Sequence, residues 1–106
     1  MNIVANQEAE FSGRYIAHWE VERIEIEVGR RFFGLFPKSE AWQPTFPPGF
    51  DLPNQNKYQA NWSRHPGRRF LIRFIGVPTA MGRFAHMGMC RRQVEIRKVI
   101  ELEEIS

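Results

Sequence analysis

From Arg14 to Val28, apolar and polar positions alternate. Tyr15, Ala17, Trp19 and Val21 share one parity, and Ile24, Ile26 and Val28 share the other. A period of two predicts a β-strand, and the one-residue slip at Glu22-Arg23 predicts a bulge or sharp bend within it. Glu20, Glu22, Glu25 and Glu27 fall between the apolar positions and are expected to face solvent. Gly29 punctuates the pattern, and residues 31–36 read as a second strand. A short strand is expected at 58–62 and a turn at His65-Pro66-Gly67. The clearest strand is 69–76, with Phe70, Ile72 and Phe74 on one face. The last runs from Gln93 to Leu102, with Val94, Ile96, Ile100 and Leu102 in phase and a break at Lys98-Val99.

Between these strands lie two long connections. Residues 37–56 hold Pro37, Pro44, Pro47, Pro48 and Pro53, and read as a proline-rich loop packed by Trp42, Phe46, Phe50 and Leu52. Residues 76–88 form a connection bearing glycine and methionine. Five short strands without a convincing helix predict a small five-stranded antiparallel barrel of OB-like form, the alternative being a small β-sandwich. Residues 1–12 are polar and aperiodic and are expected to be a flexible segment ahead of a single domain at 13–106.

Length and composition narrow the class. The chain has 106 residues, room for one domain. Hydrophobic residues make up 42% and charged residues 25%, which fits a globular fold rather than disorder. No apolar run approaches the roughly 18 residues of a membrane helix. The single cysteine, Cys90, excludes an intrachain disulfide framework and a multi-cysteine zinc site. No secretory signal precedes the domain, so a cytoplasmic location is expected for the chain as written, and the envelope or periplasm if it is a trimmed domain.

The net charge of +3 hides an uneven layout. Residues 1–56 carry five basic and eight acidic side chains. Residues 57–98 carry ten bases, eight of them arginine, against Glu95 alone, and Glu101, Glu103 and Glu104 close the chain. Arginine offers a planar donor fork suited to carboxylate or phosphate. The basic segment is therefore either an anion-binding face or a set of cross-strand partners for the acidic ends.

Gly82-Arg83-Phe84-Ala85-His86-Met87-Gly88-Met89-Cys90-Arg91-Arg92 runs directly into the valine-rich final strand. This Gly-x-x-x-His-x-Gly-x-x-x-Arg stretch resembles a segment of certain small bacterial β-barrel domains, many of them in envelope lipoproteins. The likeness extends from Gly13 to Leu102, including the long first strand and Trp42. It implies an OB-like barrel and no particular chemistry. The lipoprotein signal with its acylated cysteine is not matched here.

Read for chemistry, the same stretch holds soft donors in His86, Met87, Met89 and Cys90. Strand alternation splits them between faces, so no metal site and no cofactor are expected. Cys90 beside Arg91-Arg92 has His86 four residues away but no orienting Asn or Asp, and an inert thiol is expected. The strand glutamates lie beside no pocket residue, and no phosphate loop or metalloprotease motif occurs. The chain is thus expected to be a non-catalytic binding module for a protein partner or ligand, binding through Trp42, Phe46, Phe50 and His86, with the three aromatic residues forming an exposed patch. The alternative is a single-stranded nucleic-acid binder. It would use Arg69, Arg73, Arg83, Arg91 and Arg92 as a groove, with Tyr58 and Trp62 as stacking platforms.

Overall fold

The computed structural model describes residues 3–17, 22–31, 36–50, 68–85 and 88–105. The expected strand at 58–62, the turn at 65–67, and Tyr58, Trp62 and His86 lie outside them. The fold is all-β. Its strands are β1 (Ala9–Ala17), β2 (Glu22–Arg31), β3 (Phe36–Thr45), β4 (Arg68–Pro78) and β5 (Arg92–Ile105). They close in a ring of order β1-β2-β3-β5-β4.

The sheet is mixed, not antiparallel as expected from the pattern. Four neighbouring pairs run antiparallel, and β3 pairs with β5 in parallel from Trp42↔Arg92 to Thr45↔Glu95. The reason is parity. A closed ring with an odd number of strands cannot reverse direction at every step, so at least one pair must be parallel.

Three further differences follow from register. The slip at Glu22-Arg23 is not a bend in one long strand; it marks the entry into β2, which pairs back on β1 from Gly13↔Ile26 to Ala17↔Glu22. A bulge does occur in β2, but at Val28, between Glu27 and Gly29. The first strand begins at Ala9 rather than Arg14, because Phe11 is buried and pairs with Phe74 of β4. The broken phase of the last strand reflects two register shifts against β4, which leave Ile100 and Arg97 as extra residues.

The proline-rich loop starts later than the composition indicates. Residues 36–45 form β3, and Glu40, Trp42 and Pro44 turn toward the interior. Pro37 is the second residue of the strand, opposite Arg30, and Pro44 lies opposite Val94 in the parallel ladder. The ring interior is filled by Phe11, Tyr15, Ile24, Ile26, Trp42, Phe70, Ile72, Phe74, Val94 and Ile96. Trp42 sits at its centre, edge-on to Phe11 at 5.0 Å between ring centroids. Gly13 is required where β1 crosses β2, since a Cβ there would lie 2.5 Å from the Glu25 carbonyl oxygen.

Candidate functional site

The three aromatic residues expected to form one exposed patch do not do so. Trp42 is fully buried, and its indole N–H donates to Glu40 Oε1 at 3.1 Å. Phe46 and Phe50 are half-buried, stacked on each other at 5.2 Å, and Phe46 packs edge-on against Tyr15. They extend the core at one end of the ring instead of standing clear of it. Tyr15 in turn stacks on Phe70, with its hydroxyl buried and lacking a hydrogen-bond partner of good geometry. Burial first, and then the neighbouring Glu22 charge, push that hydroxyl far above its ordinary value of 10.0. Burial also raises the Glu22 carboxyl.

The arginines divide into two groups. Arg68 grips both carboxylate oxygens of Glu104, and its guanidinium also lies 5.3 Å from the centre of the Phe70 ring. Arg73 bonds Glu101 at 3.0 Å, and Arg97 lies 3.6 Å from Glu95. Arg92 is buried, held by Glu40 Oε1 at 3.3 Å and by the Thr79 carbonyl at 2.7 Å. Arg69, Arg83 and Arg91 are exposed and form no ion pair among the described residues. Arg73 and Arg92, expected as part of an anion groove, are therefore neutralised by cross-strand glutamates.

Arg91 belongs to the connection from β4 to β5, which backbone bonds hold firmly. Gly82 N–H donates to the Arg91 carbonyl at 2.8 Å, and Phe84 and Cys90 exchange two bonds at 2.9 and 3.0 Å. Ala85 (φ 65°) and Gly88 (φ 67°) take the left-handed backbone that closes the bend, joined by a Gly88 N–H bond to the Ala85 carbonyl. Cys90 is fully buried, and desolvation raises its thiol, so this sulfur is poorly placed to act as a nucleophile. The Arg91 N–H then reaches across to the Ala41 carbonyl of β3 at 2.8 Å.

Above that bridge lies a cleft of about 500 Å³. One wall is β3, with Lys38, Ser39, Glu40 and Ala41. The other is the connection, with Met81, Met89 and Arg91. The methionines are large apolar side chains left 58% and 49% exposed. Lys38 and Arg91 are exposed cations with no ion pair among the described residues. Glu40 lines the base, its Oε1 committed to Trp42 and Arg92. The cleft thus offers a flexible apolar grip between two cations, over a floor fixed by a buried hydrogen-bond network.

A second, more open hollow of about 600 Å³ lies on the outer face of the strands, lined by Arg14, Glu25, Glu27, Leu71, Arg73 and Glu103 among others. Its Arg73 is already paired with Glu101, which also lines the hollow. Sequence reasoning identified Arg91 but missed Lys38, Glu40, Met81 and Met89. The available signal was the pair of methionines flanking the glycine-bearing connection; what they face depends on β3 folding back beside them. Among the described residues, no three His, Cys, Asp or Glu side chains converge as a metal site would require, and no helix is long and apolar enough to cross a membrane. Comparison with known proteins finds no matching family model, no matching curated protein and no matching solved structure.

Proposed function

We propose that this chain is a small OB-like barrel acting as a non-catalytic binding module, and that it takes an acidic segment of a protein partner in the cleft between β3 and the β4–β5 connection. The ring order, the parallel β3–β5 pair and the long β3–β4 connection support the OB-like reading. The observation that carries the binding reading is the company kept by Met81 and Met89. Two exposed, adaptable apolar side chains stand with Lys38 and Arg91, cations that no glutamate neutralises among the described residues. A partner that supplies carboxylates and an apolar side chain complements both features.

Single-stranded nucleic acid fits less well. Binding of that kind relies on bases stacking on exposed aromatic rings. Among the described residues, Phe11, Tyr15, Trp42, Phe70 and Phe74 are buried and Phe46 and Phe50 stack on one another, while Tyr58 and Trp62, the platforms expected for that reading, lie outside them. The test is a titration of the protein into a labelled glutamate-rich peptide and, separately, into labelled oligothymidylate, each at low and high salt. The expected result is peptide binding that the double variant Lys38→Glu/Arg91→Glu weakens by about tenfold or more. Preferential, steeply salt-dependent binding of the oligonucleotide would overturn this reading in favour of the nucleic-acid one.

A further inference from the structure

The cleft has a property beyond its side chains: one of its walls is a strand edge. Parallel pairing with β5 covers only Trp42 to Thr45 of β3. From Phe36 to Ala41, β3 is paired with β2 on one side, and the cleft lies along the other. The Ala41 carbonyl faces that other side, where it accepts from the Arg91 N–H beside the cleft. In an antiparallel pair, successive residues direct their backbone groups to opposite sides, so the N–H and C=O of Ser39 point the same way as those of Ala41. Those of Lys38 and Glu40 serve the ladder to β2, opposite Gly29 and Ile26. Ser39 has no backbone partner across the cleft among the described residues. Sheet edges left open in this way accept a further strand, and proteins guard them with proline and lysine. Here Pro37 and Lys38 stand at the start of the edge, and Ser39 lies beyond them, open to the cleft.

We propose that this edge is a strand-addition site: an extended acidic peptide pairs its backbone with Ser39, sets carboxylates on Lys38 and Arg91, and lodges an apolar side chain between Met81 and Met89. The inference rests on the cleft reading above and adds the mode of recognition. Main-chain bonds supply affinity in such binding, while alternate side chains supply selectivity. Charge complementarity selects the occupant, because the two cations of the cleft, without an ion pair among the described residues, flank this edge. The two methionine side chains are long and unbranched, so they can accommodate apolar groups of different shape.

The experiment uses the full chain and three synthetic heptapeptides. The first alternates glutamate and valine. The second carries N-methyl groups on its glutamate amides, and the third on its valine amides. A strand has two edges with alternate residues on each, so only one methylated peptide loses the donors that face Ser39. Strand addition predicts that one of the two binds about tenfold more weakly than the parent, the worth of one or two backbone hydrogen bonds, while the other binds much as the parent does. It also predicts that hydrogen exchange at the Ser39 amide slows when the parent peptide binds. Ser39→Pro removes that donor and is expected to weaken parent binding. If this variant does not fold, the methylated peptides decide the matter alone. Parent binding that both methylated peptides reproduce within about twofold, with Ser39 exchange unchanged, would overturn strand addition and leave the cleft reading standing. No binding of the parent up to about 1 mM would remove both.

Discussion

The β4–β5 seam and the cleft beside β3 use the same kind of residue to opposite ends. On the seam, Arg68 and Arg73 of β4 each meet a glutamate of β5. In the cleft, Lys38 and Arg91 meet none among the described residues. What differs is the residue that the register places across the strand. Arg73 stands opposite Glu101, whereas Lys38 stands opposite Gly29. The seam converts basic sequence into cross-strand pairs, and the cleft leaves it available. The basic segment thus does not form one block: Arg68, Arg73, Arg92 and Arg97 meet glutamates, and Arg69, Arg83 and Arg91 have no ion pair among the described residues.

Glu40 joins the two patterns, since it neutralises Arg92 and forms the base of the cleft. The sharpest way to break the comparison is therefore through its network. Trp42→Ala should cost about 3–5 kcal/mol, from the emptied core volume. Glu40→Ala should cost about 3 kcal/mol, because it strands a buried guanidinium. Urea unfolding midpoints measure both, and a loss below about 1 kcal/mol for Glu40→Ala would show that the network is not a structural floor.

Reversing the cleft cations should do the opposite. Lys38→Glu/Arg91→Glu is expected to change stability by no more than about 0.5 kcal/mol, as exposed surface changes do, yet to weaken acidic-peptide binding by about tenfold or more. Calorimetry beside the same unfolding assay separates these effects. Destabilisation as large as that of Glu40→Ala would mean that the cations are structural.

The ring interior supplies a pH test. The Tyr15 hydroxyl and the Cys90 thiol both titrate higher in the folded chain than at their ordinary values of 10.0 and 9.0. A raised value means that stability is full below the ordinary value and is lost as pH climbs through the folded one. Unfolding midpoints should show a decline above about pH 9 from these two groups, separate from the loss that the raised Glu22 carboxyl brings as pH climbs above its ordinary value of 4.5. Tyr15→Phe should flatten the decline above about pH 10, and at pH 7 should leave stability unchanged or raise it by up to about 1 kcal/mol, since the hydroxyl it removes is buried without a good partner. The smallest effect belongs to the seam. Arg73→Ala should cost about 0.2–1 kcal/mol, the ordinary worth of an exposed pair, and less at high salt. A larger loss would mean that the seam pairs act as a network.

Strand identity was legible wherever one face of a strand is apolar. Phe70, Ile72 and Phe74 announced β4, and Val94 and Ile96 the start of β5. β3 was not legible, because its inward face is Glu40, Trp42 and Pro44, a set without the usual β signature. Trp42 read as an exposed anchor for the same reason: in a loop it would need covering, whereas in β3 it is the core. The β1–β2 hairpin was read as a bent strand because a phase slip in sequence does not distinguish a bulge from the start of a new strand. Of the candidate site, only Arg91 was in view. Lys38 and Met89 are about fifty residues apart, and nothing local links them.

Alternation and composition, taken alone, determined that this chain is all-β, and which residues fill most of its interior. Local pattern suffices for that, because burying one face of a strand is a demand each strand makes for itself. The parallel β3–β5 pair, the division of cations into those with and those without an ion pair among the described residues, and the placing of Ser39 beside the cleft were decided only by tertiary structure. Each depends on which strand lies beside which and in what register, and that is settled by closing an odd-numbered ring around a shared core.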